Sequence, residues 1–258
     1  MRQTESLELL VRTLAVGYPS GTTLDRHAHR WAQLVYASEG VMTVQTEDGT
    51  WVVPSHRAVW IPAGVNHSIT MSGWVSMRTL YLVPRLAMTL PGRCCVVAVS
   101  PLLRQLILHV ITEGPLRRDA PAHRRLIAFL LDQLRALPAV PLELPLPRDG
   151  RALRAAVRLR DDPGAAASVD TIAREAGASR RTLERIFQTE TGMSLGRWRQ
   201  QARLLHAMRL LAGGESVTTT ALEVGYDSVS AFIAAFSTVL GTTPGRYYRQ
   251  HGQPAEPR

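Results

Sequence analysis

The sequence predicts a two-domain α+β protein: an N-terminal β-barrel followed by helices, then an all-α domain of two tandem helix-turn-helix units. Three observations carry this. Between Arg12 and about Val83 the apolar residues come in short β-rich runs set off by turn residues. From Pro101 the apolar residues fall at helical spacing instead. Between Val169 and Arg249 one helix–glycine–helix pattern occurs twice.

Taken in order, Leu34–Tyr36, Val41–Val44, Trp51–Val53, Ala58–Ile61 and Met77–Leu82 read as strands, with Gly40, Asp48-Gly49, Pro54 and Gly73 as punctuation. Asp-Gly is a strong hairpin signal. Many short strands with regular turns imply a small barrel or jelly roll over residues 1–100. In the helical segment 101–137, one stripe is Leu103, Leu106, Ile107 and Val110. A second is Leu126, Phe129, Leu130, Gln133, Leu134 and Leu137. Such amphipathic helices pack on each other, on the barrel or on a second subunit. The Pro-rich run 138–148 reads as a semi-rigid linker lying on a surface. Asp149–Arg160 is a leading helix ended by Asp162-Pro163-Gly164. The tail Gly252–Arg258 is expected to be disordered.

Within 149–251, Ile172, Ala173 and Ala176 share a helical face, Gly177 supplies a tight turn, and Ser179 N-caps a second helix. Leu183, Ile186 and Phe187 face inward there, while Arg180, Arg181 and Arg185 face outward. The plan recurs with Ala221, Val224, Gly225, Ser228, Phe232, Ala235 and Phe236, one residue longer at the turn, where Asp227 has no counterpart. A helix from Leu195 to Leu211 joins the copies and is roughly 25 Å long. That length suits two recognition helices about one DNA turn, ~34 Å, apart.

Composition sets bounds. A chain of 258 residues is long enough for two small domains. The charge is +9 with pI about 10.6, and every cation is Arg. Arg is the better residue for bidentate contacts to phosphate or guanine, although an all-Arg chain also follows from genomic base composition. Residues 149–249 carry 14 Arg against 10 acids, so the pattern, and not net charge, carries the inference. The two cysteines, Cys94 and Cys95, are adjacent and form no disulfide framework. No signal segment opens the chain and no apolar run spans a membrane, so a cytoplasmic location is expected.

The C-terminal residues resemble the AraC/XylS family of bacterial transcription regulators. Ala173, Gly177, Ser179, Leu183, Arg185, Phe187, the run Thr191-Gly192-Met193-Ser194-Leu195, Val224-Gly225-Tyr226-Asp227-Ser228, Phe232, Phe236, Gly241-Thr242-Thr243-Pro244 and Tyr248-Arg249 carry the resemblance. It implies double-stranded DNA as partner, a small-molecule effector, a homodimer and contact with RNA polymerase. Arg181 and Arg185, four residues apart, share a helix face, and by the resemblance they reach base edges in the major groove. Ser179 and Thr182 flank them. Arg180 suits a phosphate, or pairing with Glu184. The second recognition helix offers only Val229, Ser230, Ala231 and Ala234 outward, and contacts phosphate through Ser228, Ser230 and its N-terminus. Arg246 is a further phosphate candidate.

In the N-terminal half, His27-Ala28-His29, then Gln33, then Pro62-Ala63-Gly64-Val65-Asn66-His67 resemble the cupin pattern. Two His one residue apart on a strand point to the same face, and imidazoles suit Zn, Fe, Ni, Cu or Mn. The resemblance implies a divalent transition metal held by His27, His29, Gln33 and His67. Metal-binding cupins usually carry Glu where Gln33 stands, and a neutral amide weakens such a site. Glu39 is at the wrong spacing to replace it. Otherwise these residues line an effector pocket or are hydrogen-bonded barrel residues. Three functional readings follow: an effector-controlled, sequence-specific regulator; a metal-dependent cupin enzyme fused to a DNA-binding domain; and a dimeric scaffold without ligand.

Overall fold

In the computed structural model, residues 9–55, 57–135, 139–140, 142–164 and 167–251 are described. Leu137, Pro138, Pro141 and the tail Gly252–Arg258 fall outside them. The chain forms two compact units: Met1–Thr46 with Trp51–Glu143, and Glu47–Thr50 with Leu144–Arg258.

The first unit is a curled sheet built on two long strands, β3 (Ala32–Gln45) and β6 (His67–Leu82). Around them lie β1 (Leu9–Tyr18), β2 (Thr23–His27), β4 (Gly49–Pro54), β5 (Arg57–Ile61), β7 (Cys95–Ala98), β8 (Leu116–Arg117), β9 (Ala139–Val140) and β10 (Glu143–Pro145). The path β8-β1-β6-β3-β5-β7-β9 is continuous, with β2 on β6 and β4 on β3 and β10. The expected strands are all present, but two turn assignments are wrong. Gly40 lies inside β3 and Gly73 inside β6. At Gly40, with φ 77°, the β3–β6 register shifts, and a Cβ there would collide with the Trp74 carbonyl oxygen. Glycine here marks a bulge that bends a strand and does not end it. Asp48-Gly49 does make the β3–β4 turn.

On β6 the buried residues His67, Ile69, Met71, Val75, Met77 and Thr79 alternate with half-buried Ser68, Thr70, Ser76 and Arg78. On the opposite sheet face Leu34, Tyr36, Ala58, Trp60, Leu80 and Leu82 form a core cluster with two helices. These are α2 (Pro101–Glu113) and α3 (Pro121–Arg135), preceded by the short α1 (Pro84–Ala87). α2 buries Leu103, Leu106, Ile107 and Val110, as its spacing predicts. α3 buries Ile127, Leu130, Leu131 and Leu134, so the expected stripe is rotated. Phe129 is 42 % exposed, and Leu126 and Gln133 are half-buried. Ile127 and Leu131 satisfy the helix period with Leu130 and Leu134 equally well, and packing on the sheet selects that face. Both helices therefore spend their main apolar faces on their own barrel.

The Pro-rich run is not a free connector. β9 within it pairs with β7, Val97 opposite Ala139 and Val96 opposite Val140, and Val52 N donates to Leu142 O. Prolines without N–H groups still leave neighbouring residues able to pair at a sheet edge.

The second unit is all-helical: α4 (Gly150–Asp161), α5 (Val169–Glu175), α6 (Arg180–Thr191), α7 (Leu195–Ala212), α8 (Val217–Glu223), α9 (Val229–Leu240) and α10 (Pro244–His251). Six helices start on a Ser or Asp whose side chain accepts a backbone N–H of the first turn: Asp149, Ser168, Ser179, Ser194, Ser216 and Ser228. α7 buries residues on all sides, among them Trp198, Gln201, Leu204, Ala207, Met208 and Leu211. It is the axle of the unit. Trp198 stacks edge-on against Phe187, ring centroids 5.5 Å apart, and its indole N–H donates to Pro145 O at 2.7 Å. At the other end the Tyr248 hydroxyl donates to Met208 O at 2.6 Å.

The two copies share their turn chemistry. Gly177 and Gly225 have φ of 75° and 79°, and Ala178 N bonds to Ala173 O as Tyr226 N bonds to Ala221 O. The extra residue falls between Gly225 and the cap Ser228. Gly164 packs so closely beneath the second turn that a Cβ would overlap the Glu223 carbonyl oxygen. Gly164→Ala should destabilise the second unit by about 1–3 kcal/mol. Chemical denaturation of the variant checks this, and an unchanged midpoint would contradict the close approach.

His206 gives a pH prediction. Burial first, then the Arg209 charge, hold its pKa down at about 4, against an ordinary 6.5. Its Nδ1 accepts from Arg209 at 2.7 Å, which requires the neutral ring, while Glu223 lies 3.9 Å from Nε2 and Asp162 pulls the other way. Between pH 6.5 and 4 the unfolded chain binds a proton there that the native state does not. The second unit should therefore lose up to about 3 kcal/mol as pH falls through that window. Urea midpoints across that range should show a slope that His206→Gln removes.

Candidate functional site

In the first unit three imidazoles converge. His27 ends β2, His67 opens β6, and the two are paired across the strands. His29 lies just beyond β2 and not on it, because the strand stops at His27. The rings nevertheless meet, with centroids 4.5 Å apart for His27–His67, 4.7 Å for His27–His29 and 5.5 Å for His29–His67. One donor atom from each lies within 4.8 Å of the others.

The hydrogen bonds fix which nitrogens are free. His27 Nδ1 lies 2.6 Å from Asp25 O, and His67 Nδ1 lies 2.9 Å from Val65 O. A carbonyl only accepts, so each Nδ1 carries the proton and each Nε2 keeps its lone pair. Metal-ligating histidines are oriented in this way by a backbone carbonyl. The Nε2 atoms of His29 and His67 are buried and have no hydrogen-bond partner. Burial, then the neighbouring His27, lowers the His29 pKa, and burial is also the main cause for His67. Neutral imidazoles are the form that binds a metal.

Gln33 is on β3, 3 % exposed, opposite Tyr81. Its amide nitrogen donates weakly to the Tyr81 hydroxyl at 3.4 Å, and its amide oxygen has no partner. Tyr81 in turn stands edge-on to His29 at 5.0 Å. The Gln33 oxygen is thus left over as an acceptor, although the structure ties Gln33 directly only to Tyr81. A cavity of about 330 Å³ adjoins this cluster, lined by Arg12, Ala28, His29, Arg30, Trp31 and Tyr81. The Arg12 guanidinium lies 4.7 Å over the Trp31 ring. Spacing alone does not reveal Arg12 or Tyr81 as neighbours of the histidines: Arg12 comes from β1, and Tyr81 stands at the far end of β6 from His67.

In the second unit α6 presents Arg181 and Arg185 to solvent, with Gln188 next along. Arg180 lies 3.8 Å from Asp170, on the preceding helix. It does not pair with Glu184, whose carboxylate accepts from Leu195 N at 3.3 Å and so caps α7. Ser179 and Thr182 hydroxyls bond to each other at 2.9 Å while Ser179 accepts Thr182 N, so both are part of the cap. On α9 Ser228 is the N-cap, and Ser230, Ala231 and Ala234 are exposed. Arg246 is exposed in the first turn of α10.

The AraC-like ligand binding domain family matches residues 9–144, and a helix-turn-helix domain family matches residues 172–250. HTH-type transcriptional regulator NimR of Escherichia coli is 38% identical over 221 residues, covering 86% of this chain and 81% of NimR. HTH-type transcriptional regulator RipA of Corynebacterium glutamicum is 36% identical over 104 residues, covering 40% of this chain and 31% of RipA. Among solved structures, fatty-acid-bound ToxT of Vibrio cholerae aligns over 96% of this chain and 98% of its own, at 12% identity and TM-score 0.40. No helix among the described residues is long and apolar enough to cross a membrane. With both family matches in their expected halves, and a relative similar over most of both lengths, the chain belongs to the AraC family of transcription regulators: an N-terminal ligand-binding domain and a C-terminal helix-turn-helix domain that binds DNA.

Proposed function

We propose that this regulator reads its operator mainly through Arg181 and Arg185, and that its sensor is a metal-centred pocket at the histidine end of the barrel. The observation that carries the second part is the pair of buried, unpartnered Nε2 atoms on His29 and His67, beside His27, with the Nδ1 atoms of His27 and His67 already given to backbone carbonyls. An unsatisfied buried polar atom is costly. A divalent transition metal held by His27, His29 and His67, with the Gln33 oxygen as a weaker fourth donor, removes that cost. The metal supplies a Lewis-acidic point for an effector atom. Arg12 and Arg30 at the adjoining cavity favour an anionic effector, and Trp31 and Tyr81 favour a flat one. Relatives named as transcription regulators support a sensor over an enzyme.

A homodimer remains part of this reading. Because α2 and α3 bury their main stripes on the barrel, a second copy has to use their outer faces, where Leu102 and Phe129 are exposed. Of the two recognition helices, α6 carries long donors and α9 does not, so the half-site read by α9 tolerates base changes better.

Two measurements test this. Arg185→Ala should relax specificity at one base pair, at about 1–3 kcal/mol of discrimination. Equal weakening on specific and random duplexes would show a phosphate contact instead. Protein from medium supplemented with Zn, Mn, Fe or Ni should carry metal by elemental analysis, and His29→Ala should lose it. A metal-free wild type would leave only an organic effector pocket.

A further inference from the structure

A second cavity, of about 350 Å³, lies on the helix-covered face of the sheet, away from the histidines. Its floor is a row of residues in register across three strands: Leu34 on β3 opposite Trp60 on β5, and Trp60 opposite Cys95 on β7. Leu90, Val97 and Leu134 complete the apolar wall, and Thr89 and Arg135 stand together at one end.

We propose that this cavity binds a small, flat, apolar molecule carrying one anionic or acceptor group, and that its occupancy acts on the chain segment leaving the first unit. The floor is buried, while Thr89, Pro91 and Arg135 are exposed and form its mouth, so a ligand can enter from solvent. The volume is within the range of ligand pockets, about 300–1,000 Å³. The Trp60 N–H is already given to Pro91 O at 2.8 Å, so its ring serves as a flat apolar wall. Burial pushes the Cys95 thiol up, which keeps it protonated and makes it wall and not nucleophile.

The polar end is built. Arg135 donates through Nε to Thr89 at 3.0 Å and through one terminal nitrogen to Asp132 at 2.9 Å. Those bonds hold the guanidinium at the rim. Arg carries five N–H donors in a fixed fork, and these two bonds use two of them, so the guanidinium keeps donor capacity for a carboxylate or carbonyl oxygen.

The cavity also has a route to the second half of the chain. Leu134 and Arg135 are the last residues of α3. Val97 is the strand partner of Ala139, and Val96 of Val140. Cavity residues therefore lie next in sequence to the stretch 136–140 at Arg135 and pair with it at Ala139, and the chain runs on from there to the DNA-binding domain. This site goes beyond the metal-centred reading and does not depend on it.

The test uses the full chain, with 1-naphthoate and naphthalene as probes, in calorimetric titrations. Wild type and His29→Ala should bind 1-naphthoate alike. Val97→Phe and Leu90→Trp fill the cavity from two sides, and each should weaken binding about tenfold or more. Arg135→Gln should weaken 1-naphthoate roughly tenfold and leave naphthalene unchanged. Amide exchange across the Val96–Val140 and Val97–Ala139 pairs should slow when 1-naphthoate binds. No binding by wild type up to millimolar probe would overturn the site, as would affinity that either filling variant retains when folded. Loss of binding in His29→Ala would place the probe at the barrel histidines, overturning this site while leaving the metal reading standing. Unchanged exchange in the bound protein would overturn the link to the 136–140 stretch.

Discussion

The register of β3 on β6 is the constraint on which the rest of the sensor depends. Gln33 sits opposite Tyr81, Leu34 opposite Leu80, and Val35 opposite Thr79. Because side chains alternate with a period of two, a slip of one residue exchanges the two faces. In the observed register Gln33 meets Tyr81, which stands against the histidine cluster, while Leu34 and Leu80 meet α2 and α3. The bulge at Gly40 bends β3 within that pairing and lets one strand serve two parts of the barrel. The cavity beside the histidines and the one floored by Trp60 follow from this alternation, one on each face.

The second unit depends on a different device. α7 is buried on all sides, so its apolar residues do not form a single stripe. It accepts a helix-turn-helix copy at each end, and each copy is held by one aromatic arrangement. Phe187 stacks on Trp198 at one end, and Phe232, Phe236 and Tyr247 form a chain of edge-on rings at the other. Glycines at the turns are obligatory on steric grounds: Gly177 and Gly225 adopt positive φ, and Gly164 leaves room for the end of α8 at Glu223. The outward faces of α6 and α9 are then free to diverge. α6 keeps its arginines and α9 its small residues, without consequence for the core.

Much of this was legible in the sequence for local reasons. Helix caps depend on one side chain and the next turn, so Ser179 and Ser228 were readable directly. The helix stripe of α2 was readable because Leu103, Leu106, Ile107 and Val110 keep helical spacing. α3 was not, since Ile127 and Leu131 made a second apolar face available beside Leu126 and Phe129. Gly40 and Gly73 look like turns in a one-dimensional reading, because the partner strand that makes each a bulge is far away in sequence.

The sequence by itself determined the division into a β-rich half and a helical half, the duplicated helix-turn-helix with its longer second turn, and the histidines that share a site. The first two follow from periodicity, capping and spacing, which act over a few residues; that His67 joins His27 and His29 is what the cupin resemblance implied. Only the tertiary structure decided which nitrogens of those histidines are free, that Tyr81 and Arg12 stand beside them, and that Arg180 pairs with Asp170 and not with Glu184. It also decided that the Pro-rich run pairs with β7. The histidine nitrogens are fixed by carbonyls only two residues back, through a backbone path that the residue types do not specify; the others rest on contacts between separate elements, whose partners are set by strand register and helix packing.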